Sequence, residues 1–269
     1  MDANHMDGTQ MSTLEGRNAI VYGGGGGIGG AVARTFARDG AQVFLAGRTR
    51  ELLEVVAKDI VAAGGSAHVA VVDALDEAAV DAHVEEVVAS AGSVDVSCNL
   101  ITRGDVQGTP LVDMTVDDLL RAPVTGLRGN FVTARAAARR MIAQGAGVIL
   151  HLNSASGAAA QPGMGSTGPA DAAVESFMRH LSAEVGPSGV RVCGIWTAGV
   201  QETLTADTMA EVNPDAPDPQ TVIAAISGLA ALRRTPRLAD VAETAAFLAS
   251  DRAAGITGSM VNVTAGLVL

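Results

Sequence analysis

The chain has 269 residues, with 29 Asp and Glu against 18 Lys and Arg, a formal charge of −11, and 48% hydrophobic residues. An acidic balance without any Lys/Arg-rich run lacks the electrostatic footprint of a phosphate-backbone binder, so nucleic acid is not expected as a partner. The chain has one tyrosine, Tyr22, and one lysine, Lys58, which excludes any chemistry that needs a Tyr and a Lys close together in sequence.

Residues 1–11 read as a polar tail ahead of a single domain spanning 12–269, a length suited to one α/β unit. No apolar run of 18 residues appears and the N-terminus has no hydrophobic signal core, so a cytoplasmic protein without membrane contact is expected. Seven short apolar runs follow, at 18–22, 42–46, 67–72, 94–101, 148–152, 190–196 and 260–263, separated by helical patterns. They are nearly continuous rather than alternating, as in parallel strands covered on both faces, and the alternation with helices predicts one doubly wound, Rossmann-like α/β sheet.

The first run leads into Gly23, Gly24, Gly25, Gly26, Gly27, Ile28 and Gly29, and then into a helical pattern at 31–38. Glycines let the backbone turn tightly and approach a pyrophosphate, while the N–H groups and dipole of the new helix stabilise its charge. The second run ends at Gly47-Arg48-Thr49, where a dinucleotide fold meets the adenosine ribose. An acid there would suit NAD; Arg48 instead points to a 2′-phosphate and NADP(H), with NAD(H) as the weaker alternative. Asp73 and Ala74 close the third run and are placed at the adenine, although Asp73 fits equally as a cap for a helix beginning near Asp76.

Cys98 and Cys193 lie inside apolar runs without metal-ligand spacing and read as two buried free thiols; no metal site is expected. The long helical pattern at 117–144 carries Ala134, Ala138 and Met141 at helical spacing, a face suited equally to an oligomer contact or to intramolecular core. His151 lies three residues before Ser154 on the fifth run, so strand alternation predicts a packed histidine on the face opposite Ser154. The stretch 211–220, with Pro214, Pro217 and Pro219, reads as an irregular loop over the ligand crevice. Trp196, Met164 and the segment 204–213 are candidates for an apolar substrate pocket, with core as the competing place for Trp196.

Together, Gly23-x-x-x-Gly27-Ile28-Gly29, the fourth-strand segment Asp95-Val96-Ser97-Cys98, the fifth-strand segment 147–154, Ala198-Gly199-Val200 with Thr203, and Ile256-Thr257-Gly258 resemble the short-chain dehydrogenase/reductase family. The resemblance covers essentially 12–269. It implies a dinucleotide crevice with nicotinamide near Asn99, Val200 and Thr203, a small-molecule substrate, and a homo-oligomer, either tetramer or dimer. The family's catalytic serine falls on Ser154, its tyrosine on Thr167 and its lysine on Asp171. Its fourth-helix asparagine falls on Gly126. With one tyrosine in the chain, no shift of register restores a Tyr-x-x-x-Lys pair, and an aliphatic hydroxyl beside a carboxylate cannot copy a phenol beside an ammonium.

Ser154, Thr167 and Asp171 are therefore the candidate catalytic groups, each with a structural alternative. Ser154 fits a strand-end cap, Thr167 a helix cap, and Asp171 a helix start where a carboxylate favours the dipole. Three functional readings stand. The first is an atypical NADP(H)-dependent oxidoreductase acting on a small carbonyl, enone or imine-type substrate. The second is a catalytically inactive relative serving as a binding or structural subunit. The third is a non-redox enzyme, a cyclase or dehydratase, on the same scaffold.

Overall fold

The structure is a computed structural model that describes residues 13–269; the tail expected at 1–11, and residue 12, lie outside the described residues. Seven strands form one parallel sheet: β1 (Asn18–Tyr22), β2 (Gln42–Gly47), β3 (Ser66–Val71), β4 (Val96–Asn99), β5 (Gly147–Ser154), β6 (Val190–Thr197) and β7 (Ser259–Val263). Their order is β3-β2-β1-β4-β5-β6-β7. The order reverses beside β1, which pairs with both β2 and β4, so the crevice opens at the carboxyl ends of these strands. The fourth strand is shorter than the expected 94–101, because Leu100 and Ile101 already turn toward the crevice.

Helices cover both faces, which is why the central strands carry nearly continuous apolar runs. On one face α1 (Gly27–Arg38), α2 (Arg50–Ala62) and α8 (Leu238–Ala249) pack Val32, Phe36, Leu53 and Leu248 against Val21, Leu45 and Leu150. On the other, α3 (Glu77–Ala91), α4 (Val116–Gln144) and α5 (Thr167–Val185) pack Val84, Met141, Val174 and Met178 against Ile20, Tyr22 and Ile149. Burial of this apolar area, at about 25 cal/mol per Å², is the main favourable term. Ala134, Ala138 and Met141 all belong to this second core, so the small-residue face of α4 is intramolecular. α4 instead exposes Val116, Leu120, Val124, Leu127 and Phe131, spaced three and four residues apart along its outer side.

The irregular stretch expected at 211–220 is confined to 213–218. Its ends belong to α6 (Ala206–Val212), entered by a Thr205–Thr208 capping box, and α7 (Pro219–Leu229), whose first position tolerates proline because that N–H has no helical partner. Among the described residues no helix is long and apolar enough to cross a membrane. Both cysteines are free and buried, and burial pushes the Cys98 thiol up to about 12.

Candidate active site

β1 passes directly into the glycine loop. Gly23 has φ +77, and a Cβ there would lie 2.5 Å from the Leu100 carbonyl oxygen, so the turn accepts only glycine. A Cβ on Gly29 would overlap the Gly23 carbonyl oxygen, so α1 starts pressed against its own loop. α1 begins at Gly27 with Gly26 as its cap residue, and neither a side-chain cap nor an acidic residue serves the first turn. Its leading N–H groups and positive dipole end are left for an anion. Thr203, in the short turn Gln201–Thr203, donates to the Val200 carbonyl at 3.0 Å and places its methyl 3.0 Å from the Cβ position of Gly27. Val200 and Thr203 therefore flank the loop.

A cleft of about 500 Å³ runs from this loop along the ends of β2, β3 and β4. Gly23, Gly25, Gly26, Arg48, Asp73 and Ala74 line it, together with Leu100 to Gly104, Arg121 and Thr125. Arg48 is exposed and forms no ion pair among the described residues. Asp73 does not cap α3. Its carboxylate accepts from Leu75 N–H at 3.0 Å, and Asp76 supplies the cap by accepting from Ala78 and Ala79. A glycine cradle too tight for a Cβ and an uncapped helix end beside it fit a dinucleotide.

Asn99 is turned away from the cleft. Its amide is buried, donating to Thr133 Oγ1 at 3.0 Å and accepting from Ile101 N–H at 3.2 Å, so it joins β4 to α4 and shapes the crevice through the backbone. Tyr22, the chain's one phenol, is 1% exposed and packs edge-on against His83 on α3. Burial raises its pKa, so it is no proton donor at neutral pH.

Ser154, Asp171 and Arg103 form one hydrogen-bonded cluster. Ser154 ends β5 and opens a short turn; its Oγ accepts from Ser156 N–H at 3.2 Å and donates to Asp171 Oδ2 at 2.5 Å. Asp171 is fully buried, and its Oδ1 takes Arg103 Nη1 at 2.6 Å. Arg103 turns its other edge to Asp105, with Nη2 to Oδ1 at 2.8 Å. Burial lifts the Asp171 carboxyl above the usual aspartate range, an effect that Arg103 and Ser154 oppose by holding the anion. Arg103 passes over Gly126, where a Cβ would stand 2.8 Å from Arg103 Cδ. Gly126 thus leaves the space that the guanidinium arm occupies.

Two alternatives for these residues are corrected by this geometry. α5 begins at Thr167, so Asp171 lies past the first turn, enclosed in an ion pair rather than serving the helix dipole. Thr167 is 2% exposed and is not the cap residue; its hydroxyl accepts from Gln107 Nε2 at 3.3 Å. Ser154 caps the turn that follows β5 and at the same time holds Asp171. His151 is packed as expected, yet not opposite Ser154: the turn at 154 redirects that hydroxyl to α5, the side on which His151 lies with Ile149 and Asn153. Trp196 donates Nε1 to Glu175 on α5 at 2.7 Å and belongs to that packing layer.

Arg103, Asp105 and Gln107 were not singled out from the sequence, whereas Gly126 was. The available signal was chemical: an aspartate where a cation is usual needs a new counterion, and Gly126 leaves the room for one. The segment after β4 that brings it is tied down by Val106 N–H to Ser166 Oγ at 2.7 Å and by Gln107 N–H to the Val212 carbonyl at 2.7 Å.

The family model described as enoyl-(acyl carrier protein) reductase matches residues 24–268. The oxidoreductase UcpA of Escherichia coli is 30% identical over 260 residues, covering 96% of this chain and 97% of its own. The crystal structure of an NAD⁺-bound xylitol dehydrogenase superimposes with a TM-score of 0.84 at 26% identity, over 94% of this chain and 99% of that one. A 7α-hydroxysteroid dehydrogenase complexed with NADH and 7-oxo glycochenodeoxycholic acid gives 0.83 at 26% identity, over 95% and 96%. With its sheet order, glycine loop and whole length matched, the chain belongs to the short-chain dehydrogenase/reductase family of oxidoreductases and has its NAD(P)-binding fold.

Proposed function

We propose that this chain binds NADP(H) and is an atypical oxidoreductase that moves hydride to or from a small carbonyl, enone or imine-type substrate without a Tyr/Lys proton donor. The observation carrying this reading is the Ser154–Asp171–Arg103 cluster set beside an intact nucleotide cradle: the usual donor is gone, and an ordered polar site stands in its place. The solved relatives hold NAD⁺ or NADH, which supports a nicotinamide dinucleotide. Arg48, exposed at the end of β2 where an acid would suit NAD, supports the 2′-phosphate form.

When bound, the nicotinamide would supply or accept the hydride. The chain's part is to hold the phosphates on the loop Gly23 to Gly29 and to place the adenosine between Arg48 and Asp73. Val200 and Thr203 close over the loop, while Ser154, backed by Asp171, presents a polar contact to the substrate. The lost proton donor costs typically 10²–10⁴ in rate where a proton is needed, and nothing where it is not.

A small-molecule substrate and self-association belong to the same reading. The exposed stripe from Val116 to Phe131 supports a homo-oligomer through the outer side of α4. The inactive-subunit reading has one observation in its favour: Ser154, Thr167 and Asp171 lie outside the lining of the cleft. Titrating the purified protein with NADPH and NADH, following nicotinamide fluorescence, decides the first step. Binding of NADPH at least about 10-fold tighter than NADH is expected, and no response to either removes the oxidoreductase reading.

A further inference from the structure

Resting on the hydride-transfer reading above, the geometry points to a substrate that carries a cationic nitrogen, an iminium in its oxidised form and an ammonium in its reduced form, with its N–H donated to Ser154 Oγ.

A serine hydroxyl has one proton and two lone pairs. At Ser154 the proton is committed to Asp171 Oδ2 at 2.5 Å, and one lone pair receives Ser156 N–H at 3.2 Å. What remains on this half-buried residue is a single acceptor. A ketone or aldehyde oxygen needs a donor at this point and finds none. Asp171 cannot turn to supply one, because it is fully buried with Oδ1 fixed by Arg103 at 2.6 Å. The hydrogen-bond polarity of the serine is thereby reversed: the site offers acceptance where a carbonyl requires donation.

Charge selects among donors. Arg103 carries +1 and is paired with both Asp105 and Asp171, so the cluster behind Ser154 has a formal charge of −1. Arg103 and Asp105 are only 13% and 14% exposed, so solvent screens this charge weakly. A cationic N–H satisfies the open lone pair and offsets the residual charge, whereas a neutral hydroxyl does only the first. The chemistry agrees. When a C=N–H⁺ group gains hydride at carbon, the C=N π pair becomes the nitrogen lone pair and the nitrogen keeps the proton it had. The amine then takes its second proton from water. No residue has to give up a proton, which matches a site whose tyrosine position is Thr167, 2% exposed and engaged by Gln107.

The test compares three bicyclic probes of nearly equal size by calorimetric titration, with and without NADPH: 1,2,3,4-tetrahydroisoquinolinium, 2-tetralone and 2-tetralol. The ammonium is expected to bind at least about 10-fold tighter than either neutral probe, the ratio expected of a charge-assisted hydrogen bond. Ser154→Ala, which leaves the Arg103–Asp171 pair in place, should abolish this preference while NADPH affinity stays as in the parent. Asp171→Asn should abolish it as well, with retained NADPH affinity reporting the fold. Equal or tighter binding of the ketone overturns the inference, as does a preference that survives Ser154→Ala, or absence of ammonium binding to protein that binds NADPH. Ammonium binding by protein that fails to bind NADPH would instead remove the reductase reading and leave the recognition standing.

Discussion

Arg103 crosses from the segment after β4 to Asp171 on α5, 2.6 Å from Nη1 to Oδ1, so this buried carboxylate takes its cation from another element. Gly126 leaves the path of the guanidinium arm clear. Arg103, Asp171 and Gly126 thus form one packed unit.

Removing one partner of this buried pair strands the other. Arg103→Ala is expected to destabilise the protein by about 3–5 kcal/mol, and Asp171→Ala by a similar amount, while the double variant loses much less than the sum. Asp171→Lys alone, which brings back the family's residue, sets an ammonium against Arg103 and should be at least as damaging. Urea unfolding of the four-member cycle measures this; strictly additive losses would show that the pair is not coupled.

Arg48 should determine the form of the cofactor. Arg48→Ala is expected to weaken NADPH by roughly 10- to 100-fold, the worth of one or two charge-assisted hydrogen bonds, and to leave NADH within about 2-fold. Fluorescence titration of both cofactors checks it. A parallel loss for both would assign Arg48 to the shared part of the nucleotide.

His151 gives the fold an acid-side weakness. It pairs across the sheet with Asn99 and Gly194, its ring is buried, and that burial lowers its pKa to about 4. The unfolded chain binds this proton near pH 6.5, so between about 6.5 and 4 the unfolded state holds more protons than the folded one. Stability therefore falls as pH drops through that window, by about 3 kcal/mol in total from this residue. His151→Leu should flatten that part of the profile in urea unfolding at pH 7, 5.5 and 4.5. An unchanged slope would locate the acid sensitivity elsewhere.

The outer stripe of α4 should hold copies of the chain together. Leu127→Arg combined with Phe131→Glu places charges on residues that are 39% and 43% exposed, so the monomer fold is expected to survive while the oligomer dissociates. Light scattering at fixed concentration reads the mass, and an unaltered mass would move the interface to another face.

The sequence by itself determined the seven strands, the doubly wound class and the glycine loop, because these rest on local patterns: continuous apolar runs for strands buried on both faces, and glycines where strand meets helix. It also determined that no phenol–ammonium pair exists, a matter of counting. Only the tertiary structure decided what fills the gap. Arg103 and Asp171 are 68 residues apart, and their pairing depends on a loop geometry and on an empty volume at Gly126 that no periodicity encodes. Likewise the small-residue side of α4 became core and its other side an exposed stripe, since a helical pattern gives the faces of a helix but not which of them another element covers.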